Sequence, residues 1–149
     1  MYYSKKRIIS TPGFNDMIER DRFEQICQYL HFVDNEKLPK YTGPPKIFKI
    51  HPILTHFEEK FWTLYVPEQN IAIDESLTLW WGRLSFKQYL SLKAAEFGIK
   101  VYELCESVTG YLWKFVVYLG NETEIESDLA IKETPKTSAI VLRLMVPLQ

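Results

Sequence analysis

The apolar positions of the first part of the chain recur at helical spacing. One set follows the order i, i+3, i+4 and i+7, which predicts an amphipathic helix with these side chains in the core: Phe23, Ile26, Cys27 and Leu30. Just before it, Thr11-Pro12 has the residue types of an N-cap and a first helical turn. This predicts a further short helix over roughly residues 13–19.

A stretch rich in proline and glycine follows these helices. Residues 34–49 are predicted to form a linker, because Pro39, Gly43, Pro44 and Pro45 interrupt any continuous helix. A third helix is predicted to begin near His51-Pro52, and its apolar positions again share one face: Ile53, Phe57, Phe61 and Leu64.

The periodicity changes from helical to alternating near residue 70. Residues 71–77 are predicted to form a strand, with Ile71 and Ile73 on one face and Asp74 and Ser76 on the other. An acid on a strand meant for burial must be solvated, paired or bound to a cation. A carboxylate that caps a loop and a carboxylate that holds a metal both fit Asp74.

The second half of the chain predicts a hairpin and a last helix. Residues 99–106 and 111–119 alternate as strands and are joined by a four-residue turn. Thr134-Pro135 then begins a helix whose apolar face is formed by Ile140, Val141, Leu144, Met145 and Leu148. The predicted fold class is therefore α/β, more closely α+β, with a helical region over 1–66 and a strand-containing region over 67–149.

Composition and charge narrow the function classes. With 46% hydrophobic residues the chain can form a packed core. Its two cysteines, Cys27 and Cys105, are predicted to be buried thiols in an intracellular protein. The start of the chain has no apolar run of a signal peptide, and no stretch is apolar enough to span a bilayer. A formal net charge of −1 means that any contact with nucleic acid is local, or that the basic parts lie outside this chain.

A local basic segment does follow the Asp74 strand. Cations alternate with aromatic rings at Arg83, Phe86, Lys87, Tyr89 and Lys93, as they do on surfaces that track a phosphate backbone. The pair Trp80-Trp81 just before it is predicted to pack in the interior rather than to stack on bases.

These residues together resemble the piggyBac-type transposases. The matching pieces occur in the order Ile73-Asp74-Glu75, Gly82-Arg83, Phe86-Lys87-Gln88-Tyr89, Lys93 and Phe97-Gly98-Ile99-Lys100. So many matches in order are far more specific than one short motif. The chain departs from the family at Ala94, Ala95 and Glu96, where relatives carry basic residues, and the loss of cations there predicts weaker phosphate contact.

The resemblance implies a metal-dependent, cut-and-paste DNA transposase with an RNase H-like core. It implies that Asp74 is the first of three catalytic aspartates, which in the complete family member hold Mg²⁺ or another divalent cation, and that Arg83, Lys87 and Lys93 contact DNA at transposon ends. It further implies a nuclear protein, with no membrane partner, whose helical region helps to form a homodimer.

No residue of this chain matches the second or the third aspartate of the family. We therefore expect an incomplete core of three strands and one helix, an exposed edge on the Asp74 strand, and a transposase-derived fragment that is inactive alone. Two alternatives stay open, a domesticated module that binds DNA or protein without catalysis and a remnant of a mobile element without a selected role.

Overall fold

The computed structural model describes residues 3, 12–91, 97–123 and 135–146. The α-helices are α1 (Pro12–Met17), α2 (Arg20–Tyr29), α3 (His51–Leu64) and α4 (Lys136–Met145). The strands are β1 (Ile71–Leu79), β2 (Gln88–Tyr89), β3 (Phe97–Glu106) and β4 (Leu112–Val117). Short 3-10 helices cover Asn35–Lys40, Pro45–Ile47 and Gly120–Glu122. The predicted caps Thr11 and Thr134 and the predicted DNA contact Lys93 lie outside the described residues.

The predicted fold class and order of elements are confirmed. Helices come first, then a strand, a hairpin and a last helix, and the sheet is antiparallel throughout its described pairs. The sheet has four strands rather than the three that were expected, because the two residues of β2 pair with the start of β3. A pair of residues is too short to show an alternating pattern in the sequence.

Strand β3 lies at the centre of the sheet. β1 pairs with it along its whole length, from Ile71 opposite Glu106 to Leu79 opposite Gly98. β2 and β4 pair with successive parts of the other side of β3. Within the described residues β1 is thus hydrogen-bonded on one side only, and it forms an edge of the sheet.

Two hydrophobic clusters connect α4 and the region around the start of α3 to the sheet. The larger one joins α4 to β3 and β4 through Leu104, Trp113, Val116, Ile140 and Leu144, and Ile71 and Ile73 of β1 pack against it. The smaller one joins the 3-10 turn before α3 to the sheet through Ile47, Phe86 and Leu119. Helix α3 packs beside β4, where the rings of Phe61 and Phe115 lie 6.2 Å apart.

The prediction of a buried stripe on α2 is wrong. Phe23 is 38% exposed, Ile26 44% and Leu30 53%, and Cys27, predicted to be a buried thiol, is also exposed. The spacing correctly places these side chains on one face of a helix. Spacing cannot show whether another element covers that face, and in the described part of the chain the face remains open to solvent.

A buried carboxylate fixes the turn of the hairpin. Glu106, at the end of β3, is only 1% exposed, and its Oε2 accepts hydrogen bonds from the backbone N–H of Thr109 at 3.0 Å and from the Thr109 hydroxyl. These bonds favour the charged carboxylate, so the pKa of Glu106 is lowered from its ordinary value of 4.5. The turn ends at Gly110, whose positive φ of 71° suits glycine.

Acid is expected to weaken the hairpin through Glu106. The folded-state pKa of Glu106 is lowered below its ordinary value of 4.5. The charged carboxylate therefore contributes its full stabilisation above about pH 4.5, and this contribution is lost as the pH falls through the lowered pKa. The melting temperature of Glu106→Gln should therefore lie below that of the parent at neutral pH, and the difference should shrink in acid. Thermal denaturation from neutral to acidic pH measures the difference in melting temperature, with Glu59→Gln, at an exposed position, as the control. A difference that is independent of pH would contradict the assignment.

Candidate functional site

Asp74 lies in the middle of β1 on the face opposite to the larger hydrophobic cluster. Its neighbours Ile73 and Glu75 point the other way, Ile73 into the larger cluster and Glu75 towards Lys100, with 3.9 Å between Nζ and Oε2. Asp74 itself is exposed, and its Oδ1 accepts a hydrogen bond of 2.8 Å from the backbone N–H of Glu75. The alternation predicted for this strand is confirmed, and it presents the Asp74 carboxylate to solvent.

A second carboxylate lies directly across the sheet from Asp74. The register places Glu103 of β3 opposite Asp74, and the hydroxyl of Ser76 donates to Glu103 Oε1 at 2.5 Å. Burial and the nearby charge of Glu103 both raise the pKa of the Cys105 thiol, on the same face. The sequence pattern gives no signal for Glu103, because only the register of the β1–β3 pair brings it to Asp74.

The chemistry of this carboxylate pair is limited. Carboxylate oxygens are the hard ligands that Mg²⁺ prefers, but the ion usually needs near-octahedral coordination by several oxygens. Within the described residues no group of three or more His, Cys, Asp or Glu side chains could hold a metal ion. Asp74 and Glu103 therefore suit part of a cation site, and they do not by themselves form a site for two ions.

The basic segment is held to the molecule by its apolar residues. Phe86 is buried in the smaller cluster, and Leu84 packs against that cluster. The backbone N–H of Lys87 donates to the carbonyl of Leu84 at 3.3 Å, which closes a turn between them. In this turn the Arg83 side chain is exposed. The Nζ of Lys87 lies 5.5 Å from the centroid of the Phe97 ring.

Among the described residues, Arg83 and Lys87 of the basic segment follow the end of β1, whereas Asp74 lies in the middle of that strand. Leu79 comes five positions after Asp74, about 17 Å along an extended strand, and the basic segment begins beyond that end. Of the three predicted DNA contacts, Arg83 and Lys87 lie at this end of the sheet.

The prediction that Trp80-Trp81 packs in the interior is wrong. Trp80 is 44% exposed and Trp81 83% exposed, because β1 ends at Leu79 and its pairing with β3 ends with the bond from the Trp80 N–H to the Phe97 carbonyl. Gly82 allows the Trp80 indole to approach the backbone, since a Cβ at Gly82 would lie 2.4 Å from Trp80 Nε1. Within the described residues, no helix combines the length and apolar character needed to cross a membrane.

Three comparisons connect this arrangement with known proteins. The family model described as Transposase IS4 matches residues 1–149. The human PiggyBac transposable element-derived protein 3 is 27% identical over 129 residues, which is 86% of this chain and 21% of that protein. The human PiggyBac transposable element-derived protein 2 is 32% identical over 98 residues, which is 65% of this chain and 16% of that protein.

A solved structure agrees with the sequence relatives. The cryo-EM structure of a piggyBac transposase synaptic complex with hairpin DNA superposes on 97% of this chain with a TM-score of 0.81 and 25% sequence identity, and this covers 29% of the solved chain. The chain thus spans about a fifth of the first human relative and less than a third of the solved transposase chain.

Proposed function

Because the chain belongs to the Transposase IS4 family, as a piggyBac-type member, we propose that it forms part of a metal-dependent, cut-and-paste DNA transposase. In this proposal Asp74 is the first carboxylate of the catalytic centre, and the sheet begins an RNase H-like core. The helical residues 1–66 and the residues 67–149 are its two regions, as the sequence predicts.

The observation that carries the proposal is the position of Asp74. The family motif places an aspartate on the first strand, and here that carboxylate is exposed at the middle of β1, where further ligands can approach it. When bound, Mg²⁺ or another divalent cation would activate the attacking oxygen and stabilise the leaving oxygen. Asp74, with Glu103 across the strand pair, would hold the ion from one side.

DNA is the proposed macromolecular partner. The solved relative is a complex with hairpin DNA, which supports contact with transposon ends by Arg83, Lys87 and Lys93 in this chain as well. A protein that acts on chromosomal DNA in this way would work in the nucleus.

Residues 1–149 are expected neither to cleave nor to join DNA. Strand transfer needs two divalent ions held a few ångströms apart, and Asp74 is the one residue here that matches a catalytic aspartate of the family. Incubation of the purified chain with a transposon-end duplex and Mg²⁺ or Mn²⁺ should leave the duplex intact. A metal-dependent nick or hairpin that disappears in Asp74→Asn would contradict this prediction.

Weak binding of one cation tests the proposed role of Asp74. Titration with Mn²⁺ should broaden the NMR signals of residues 72–76 and of Glu103, because the paramagnetic ion acts over short distances. Asp74→Asn should remove this broadening, whereas Glu75→Gln, on the opposite face of the same strand, should retain it. Broadening that is centred elsewhere, or that persists in Asp74→Asn, would refute the assignment.

The second candidate function is an interaction module without catalysis. The open apolar face of α2 favours it, since an exposed stripe of large side chains suits a second protein or a second copy of the chain. Sedimentation of the parent and of Ile26→Asp tests whether a second copy of the chain binds to this face. A homodimer that dissociates on this substitution supports the module, and a parent that stays monomeric excludes self-association through this face.

A further inference from the structure

We propose that the end of the sheet beyond β1 binds unpaired nucleotides, with bases stacking on aromatic rings and phosphates held by Arg83 and Lys87. This aromatic end consists of Trp80, Trp81, Tyr89 and Phe97. The inference rests on the proposed contact with DNA and adds to it the form of DNA that this surface selects.

Three of the four rings belong to neighbouring strands. The backbone N–H of Trp80 donates to the carbonyl of Phe97 at 3.3 Å, which continues the β1–β3 ladder by one residue. On the other side of β3, Tyr89 of β2 is the register partner of Phe97, and their ring centroids lie 4.8 Å apart. The register therefore places Trp80, Phe97 and Tyr89 side by side across three strands.

All four rings are open to solvent. Phe97 is 45% exposed, Tyr89 55% and Trp80 44%, and Trp81 reaches 83%. Exposed large rings in contiguous positions cost solvation free energy, and such patches typically mark binding sites. Base–aromatic stacking would recover this free energy, at about 1–3 kcal/mol per base.

The charge around the rings is complementary to a polyanion. From Thr78 to Ser91 the sequence contains Arg83 and Lys87 and no acidic residue, in a chain whose net charge is −1. Lys87 Nζ lies 5.5 Å from the centroid of the Phe97 ring, so a nucleotide that binds at this ring has a cation close to it. A purely apolar protein partner would leave these cations without a counter-charge.

Flat exposed rings distinguish unpaired from paired DNA. In a duplex the faces of the bases are covered by their neighbours, so a protein reaches only base edges and phosphates. In a single strand each base offers a free face to an aromatic side chain, whatever its sequence. Cations alone would suffice for a duplex, whereas the rings have a role only if bases are unstacked.

The same face of β1 leads from the aromatic end to Asp74. The register pairs Asp74 with Glu103 and Thr78 with Ile99, all on one face of the sheet. The next pair on that face is Trp80 and Phe97. Trp80 comes six positions after Asp74, about 20 Å along an extended strand. A single strand held at the aromatic end can therefore extend along this face towards the proposed catalytic carboxylate.

Fluorescence anisotropy with two oligonucleotides tests the inference on the full chain. The probes are an oligothymidylate of about twelve nucleotides, within the range of known single-strand site sizes, and a blunt duplex of the same length. We expect tighter binding of the single strand. Trp81→Ala and Tyr89→Ala should each weaken it by about 5- to 150-fold, which corresponds to about 1–3 kcal/mol, and should change duplex binding little.

Two further variants separate stacking from general effects. Trp62→Ala removes a tryptophan of α3 that is 41% exposed, close to the 44% of Trp80, and it should change neither affinity. Trp81→Phe should retain most of the single-strand affinity because it keeps a ring. Equal affinity for the two probes, or single-strand binding that survives both Trp81→Ala and Tyr89→Ala, would overturn this inference alone. No binding of either probe would overturn the proposed DNA contact as well.

Discussion

Reversal of three charges, Arg83→Glu, Lys87→Glu and Lys93→Glu, is expected to abolish binding of the chain to DNA. A chain with net charge −1 has no general attraction for phosphates, so its affinity depends on local cations. Three phosphate contacts give a salt slope of about −2.7, or about a 40-fold loss between 50 and 200 mM salt. Binding of the parent should show this slope, and the triple variant should bind too weakly to measure.

A matched triple variant controls for the change in net charge. Lys37, Lys40 and Lys60 are exposed in the helical half of the molecule, and their replacement by glutamate changes the net charge by the same amount. This control should retain the affinity and the salt slope of the parent. If it loses binding while the Arg83, Lys87 and Lys93 variant retains it, the DNA contact lies in the helical half instead.

Leu104→Ala should remove much of the stability of the fold. Leu104 is fully buried near the end of β3, where it packs in one cluster with Ile140 and Leu144 of α4, so its truncation leaves a cavity in the larger cluster. Such a substitution costs about 2–5 kcal/mol, against a total of about 5–15 kcal/mol for a whole domain. Urea denaturation monitored by circular dichroism measures the change in the free energy of unfolding.

Leu64→Ala is the matched control for Leu104→Ala. Leu64, the last residue of α3, is 74% exposed, so the same truncation there should change the free energy of unfolding by no more than about 0.5 kcal/mol. Equal effects of the two substitutions would mean that the sheet centred on β3 does not carry the stability of the chain.

The local periodicity of the sequence predicted the main elements. Alternation around Ile71 and Ile73 identified β1 and the outward direction of Asp74, and the apolar spacing around Phe57 and Phe61 identified α3. These features depend on residues close in sequence, and backbone geometry converts their spacing directly into faces. The ordered motifs from Ile73 to Lys100 likewise indicated the family, which the comparisons confirm, while the roles of Asp74, Arg83, Lys87 and Lys93 stay predictions.

Only the tertiary structure decided which faces are covered and which distant residues meet. The stripe around Ile26 and the ring of Trp81 have the composition of a core but are exposed, because burial depends on the partner element and not on the pattern itself. Glu103 reaches Asp74, and Tyr89 reaches Phe97, through strand register, which the turns and the whole sheet set. The sequence by itself therefore determined the elements and the family, whereas the carboxylate pair and the aromatic end arise from pairing between strands far apart in the chain.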